Sequence, residues 1–101
     1  HERVARILTG RTIAKKRFED CSAKLAQSGQ SPASLQILSS AWTGKISDAS
    51  RGALLRDSDA QDATLKLIFD TEVQTNQVCG APSGDDALLL LLAQSQHAQD
   101  E

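Results

Sequence analysis

SGDDALLLLLAQSQ, residues 83–96, decides how this chain is read. Ser83 followed three residues later by Asp86 has the form of a capping box, in which a hydroxyl and a carboxylate satisfy the first free N–H groups of a helix. Nothing after it is β-branched or proline, and leucine and alanine are strong helix formers. A helix over about residues 84–96 follows. Its leucines, Leu88 to Leu92, are consecutive, and five residues advance about 500° around a helix axis, so they reach every side. The run is far too short to cross a bilayer. Either other helices of the chain cover it or another protein does.

Upstream, the same period recurs. Val4, Ile7, Leu8, Ala14, Phe18, Cys21 and Leu25 are spaced mostly by three and four, which predicts a first helix over about 2–27 with a weak point or kink near Gly10 and a stop at Gly29. Ser31 followed by Pro32 opens a second helix, with Ser31 as N-cap and Pro32 in the first turn, where its missing N–H costs nothing. Leu35, Leu38, Trp42, Ile46, Ala49 and Ala53 carry that helix to about residue 54, with Gly44 and Gly52 as its weak points. Asp57, Asp59 and Asp62 favour the positive end of a third helix over about 58–79, whose core face is Leu65, Ile68, Phe69 and Val73. Gly80 and Pro82 stop it.

The expected fold is therefore all-α: a single domain, residues 1–101, built as a small bundle of four helices. The apolar share of 40% comprises 14 alanines and 26 larger side chains, 13 of them leucine. That is enough for one modest core, with Phe18, Trp42 and Phe69 as expected core aromatics. Domains this small benefit from a staple or a partner. Cys21 and Cys79 supply a candidate staple. If the first and third helices are antiparallel, their ends do not meet; if the second helix crosses over rather than simply reversing, they can. A bridge closing almost sixty residues removes roughly 4 kcal/mol of unfolded-state entropy. The competing reading is a pair of buried thiols in a cytoplasmic protein.

The net charge of −2 hides a segregation. Residues 1–30 hold Arg3, Arg6, Arg11, Lys15, Lys16, Arg17 and Lys24 against Glu2, Glu19 and Asp20, a balance of +4. Residues 57–101 hold Lys66 against nine acidic residues, a balance of −8. A basic first helix can track nucleic-acid phosphates or lie on an anionic membrane. It can equally lie beside the acidic third helix, so that the charges complement each other within one domain. Its cations are not confined to one strip and no aromatic or Gly-rich nucleic-acid element accompanies them, which favours the internal pairing.

No motif identifies a reaction. The carboxylates cluster at helix starts, where capping explains them, and the serines lack a nucleophile elbow or a nearby base. There is no C-x-x-C and no metal-ligand spacing, so no metal and no cofactor is expected. The chain begins at His1 rather than methionine, which suggests processing or trimming, with His1 as a tag or cleavage remnant. An N-terminal histidine can chelate copper, but only His97 accompanies it. The enzyme alternative is an all-α pocket in which Arg11, Arg17 and Arg51 hold a small dianion, similar to the helical chorismate mutases in size and class.

Length, helical content, a tryptophan in the second helix (Trp42) and two distant cysteines resemble the pilotin lipoproteins, which escort bacterial secretins and hold a partner helix in a groove between their own helices. The GAPSG that follows Cys79 departs from that pattern. The resemblance implies a non-catalytic, pilotin-like or adaptor-like binding module, periplasmic or secreted, with a cytoplasmic location as the alternative. The partner is another protein or a second copy, met through an apolar patch that includes Leu89 and Leu92. Nucleic acid is the weaker alternative, and a peripheral membrane contact through the basic first helix stays open.

Overall fold

The computed structural model describes residues 2–99, and the side chains of residues 2–95. Among these residues the chain is all-helical, in the order α1 (Glu2–Gln27), α2 (Ala33–Ala41), α3 (Arg51–Arg56), α4 (Ser58–Cys79) and α5 (Gly84–Gln99). Among the described residues no helix is long and apolar enough to cross a membrane.

α1 is the axis of the fold. It packs most extensively on α4 and α5, and more lightly on α3. It runs through Gly10 without a break, where a kink is expected from the sequence. The reason is packing: a Cβ built on Gly10 would lie 2.7 Å from the Ala93 Cβ, so the missing side chain is what lets α5 cross against α1. Its end is a Schellman motif. Gly29 takes φ of 73°, the Gln30 N–H donates to the Leu25 carbonyl at 2.9 Å and the Gly29 N–H to the Ala26 carbonyl at 3.0 Å.

The expected second helix is two helices, so there are five in place of four. α2 stops at Ala41, and residues 42–50 form turns before Ser50 caps α3 by accepting from the Ala53 N–H at 3.1 Å. The hydroxyl-rich sequence explains the break. Thr43 Oγ1 donates to the Ser40 carbonyl and Ser47 Oγ to the Gly44 carbonyl, so side chains occupy carbonyls that a continuing helix uses. Ile46 consequently leaves the apolar stripe and is exposed. At the start of α2 the N-cap is Pro32, and Ser31 instead receives the Gln36 amide on its carbonyl (2.7 Å) and hydroxyl (2.9 Å).

α4 begins where the sequence places it, with Asp57 Oδ1 accepting from the N–H groups of Asp59 and Ala60. Its inward face differs from expectation. Leu65, Leu67 and Ile68 are buried, but so are Thr64, Thr71 and Thr75, whereas Phe69 is 46% exposed. At Thr64 and Thr71 the inward hydroxyl is satisfied locally or by a neighbour, whereas the Thr75 hydroxyl is buried without a hydrogen-bond partner among the described residues. Thr64 donates to the Ala60 carbonyl at 2.8 Å, and Thr71 accepts from the Trp42 indole at 3.0 Å.

α1 and α4 run in the same direction, because α2 and α3 carry the chain back between them. Arg3 meets Asp62 near their starts at 3.0 Å, and Cys21 is bonded to Cys79 near their ends with Cα atoms 6.0 Å apart. The basic first helix thus lies beside the acidic α4. α5 doubles back along both. Leu90 and Ala93 are its buried residues, while Leu88 and Leu91 face outward.

Candidate functional site

α2 sends its packing to α4 and does not close onto α1. The space between them is a half-open groove of about 540 Å³. Its floor is Phe18 from α1 with Leu35 and Trp42 from α2, all part of the hydrophobic core. One wall presents Lys15, Glu19, Ser22 and Ala26, a stripe at helical spacing along α1; the other presents Gln36, Ser39 and Thr43. From Lys15 to Ala26 the groove follows α1 for about 17 Å at 1.5 Å per residue. Small side chains at Ser22, Ala26 and Ser39 leave room for a helix to approach to the 8–10 Å axis separation of ordinary helix packing.

The groove is held in shape from below. Trp42 ends α2, its backbone N–H donating to the Leu38 carbonyl at 3.2 Å while the indole N–H reaches Thr71 in the interior. The ring is thereby fixed at the floor. Gln36 is tied back to Ser31, which orders the rim.

Leu89 and Leu92, the expected contact residues, are half-buried over the start of α1. With Glu2, Ala5, Arg6 and Thr9 they line a shallow depression of about 260 Å³. Leu88 and Leu91 are the outward pair, 55% and 65% exposed.

The three arginines of the enzyme alternative do not converge. Arg11 donates to the Ile46 carbonyl at 3.2 Å. Arg17 instead donates to Asn76 Oδ1 (3.1 Å) and the Gly80 carbonyl (2.9 Å), tying α1 to the end of α4. Arg51 is exposed at the start of α3. Burial lowers the Arg11 pKa, opposed by Asp48. Burial lifts the Glu72 carboxyl above its ordinary value, opposed by the Gln94 amide and the Arg17 guanidinium. Arg17 is thus explained as a link between α1 and the end of α4.

Among the described residues no group of three His, Cys, Asp or Glu side chains is placed to hold a metal ion. The copper reading of His1 and any role for His97 lie outside the described residues and side chains. No family model, curated protein or solved structure matches the chain.

Sequence reading missed the groove. Its signal is that the α1 stripe Lys15, Glu19, Ser22, Ala26 carries no large apolar side chain beside an otherwise apolar face, which a periodicity count reads as solvent-facing.

Proposed function

We propose that this protein is a small non-catalytic binding module that holds an amphipathic helix of another protein in the groove between α1 and α2. The observation that carries the reading is a groove between two polar rims whose floor is Phe18, Leu35 and Trp42, buried to 4–6% exposure, the form of a helix-in-groove site. The disulfide supports a place in an oxidising compartment, the periplasm or the exterior. Helix capture is the mode that the pilotin resemblance implies. Leu89 and Leu92 belong to a second, flatter apolar surface on α5, beside the outward Leu88 and Leu91. It enters the proposal as a contact with a further protein or a second copy.

Trp42 is the chain's single tryptophan, so its emission reports directly on the groove floor. The test titrates the protein with a three-turn peptide, stapled on its outer face to hold it helical, with leucines at positions i, i+3 and i+7. Saturable change in Trp42 emission is expected, and Ala26→Phe or Ser39→Phe should abolish it while leaving the circular dichroism intact. An emission change that persists in both filled variants, or none with any such peptide, removes the groove from the proposal. For α5, sedimentation of the Leu88→Ser/Leu91→Ser variant compares its association state with that of the native protein.

A further inference from the structure

The groove is uncharged at one end and basic at the other. Ala26, Ser31 and Pro32 border the first. Beside Trp42 and Thr43, the second opens into an adjoining depression of about 380 Å³, whose lining includes Arg11, Lys15 and Lys16 with Glu19 as its one acid. Arg11 and Lys16 are partly engaged: Arg11 donates to a carbonyl and feels Asp48, and Lys16 stands 3.9 Å from Asp20. Lys15 differs. It is half-buried, it lines both spaces, and among the described residues no hydrogen bond or ion pair holds its ammonium.

Building on the helix-capture reading, we infer that the partner helix carries an acidic side chain in its last turn and lies with that turn against Lys15. Three features converge on this orientation. An unpaired, half-buried ammonium favours a carboxylate partner. Glu19, one turn along α1, lines the groove and the depression alike and repels an acid placed beside it, which favours a carboxylate on the Lys15 side. The C-terminal end of a helix also carries the negative end of its dipole, so the basic end of the groove attracts that terminus. The captured helix then runs antiparallel to α1.

The test uses three stapled three-turn peptides with the same leucine face. One has glutamate in the last turn, one has glutamate in the first turn, and one has glutamine at both places; all have neutral blocked termini. Trp42 emission is titrated in 20 mM and 500 mM salt. The last-turn glutamate peptide is expected to bind about two- to fivefold more tightly than either of the others at low salt, the range that one exposed or half-exposed ion pair supplies. The preference should vanish at high salt and in Lys15→Gln, to which the last-turn glutamate and the glutamine peptides should bind alike. Equal affinities, a preference for first-turn glutamate, or a preference retained by Lys15→Gln each overturn the orientation while leaving helix capture in place. Failure of all three peptides to bind overturns both.

Discussion

The Trp42 indole N–H donates to the Thr71 hydroxyl across 3.0 Å in the interior, joining the last residue before the α2–α3 break to the middle of α4. This bond fixes the aromatic floor of the groove, so its loss should affect stability and the site together. Thr71→Val keeps the shape but leaves a buried donor without an acceptor, at a cost of about 1–3 kcal/mol. The expected result is a lower urea midpoint with an unchanged slope, a shifted Trp42 emission maximum, and recovery of most of the loss in Thr71→Ser.

Removing the cross-link should cost more. Cys21 and Cys79 are 58 residues apart in sequence, and a loop of that length corresponds to roughly 4 kcal/mol of unfolded-state entropy. The Cys21→Ser/Cys79→Ser protein is therefore expected to approach the limit of stability for a domain of this size. Denaturant unfolding measures the difference. Mass measurement of native protein under non-reducing conditions should show two hydrogens fewer than the sequence and no alkylable thiol.

The first helix and α4 were legible because both are long, uninterrupted and periodic, and because Gly29 and Asp57 are unambiguous stop and start residues. The parallel arrangement that joins Cys21 to Cys79 was one of two open alternatives, since chain direction in space is not written in helical periodicity. The α2–α3 break was not legible: Trp42, Ile46 and Ala49 continue an apolar period that the hydroxyls of Thr43 and Ser47 interrupt. The burial of Thr71 and Thr75 in preference to Phe69 was hidden for a related reason. Hydrophobicity ranks phenylalanine first, whereas a slim residue also fits a tight helix contact, and at Thr71 the Trp42 indole satisfies the hydroxyl. The groove depends on α2 packing more closely on α4 than on α1, and no residue pattern announces that.

Glu72 makes stability depend on pH in a definite direction. Its carboxyl is held above the ordinary value chiefly by burial, so the folded state binds the proton more tightly than the unfolded chain. Its stabilising contribution is fully present below the unfolded pKa, near 4.5, and is lost as pH rises through the folded value. Glu72→Gln should remove that loss. The expected measurement is a melting temperature that falls less between pH 4.5 and neutrality in the variant than in the native protein, with the two differing least at the acid end. A steeper fall in the variant would show that the Arg17 charge, rather than burial, dominates at this position.

The contact between Gly10 and Ala93 explains why five leucines in a row do not form the core. α5 crosses α1 where neither helix has room for a large side chain, so the innermost positions of α5 go to Leu90 and Ala93, and Leu88 and Leu91 rotate outward. Glycine inside a helix is ordinarily a weakness, and Gly10→Ala on helix propensity alone should stabilise by about 1 kcal/mol. Here the added Cβ would stand 2.7 Å from the Ala93 Cβ, closer than carbon atoms tolerate, and neither methyl can rotate away. Forcing such a contact typically costs about 1–3 kcal/mol, which outweighs the propensity gain. Gly10→Ala is therefore expected to lower stability by about 1 kcal/mol, and Ala93→Gly alone by a similar amount through its own helix penalty. The double variant Gly10→Ala/Ala93→Gly moves the methyl from one helix to the other and should recover most of the loss. Denaturant unfolding of the four proteins gives the coupling between the two positions, and a stabilised Gly10→Ala whose effect simply adds to that of Ala93→Gly would show that the helices are separated enough at this crossing to accommodate both methyls.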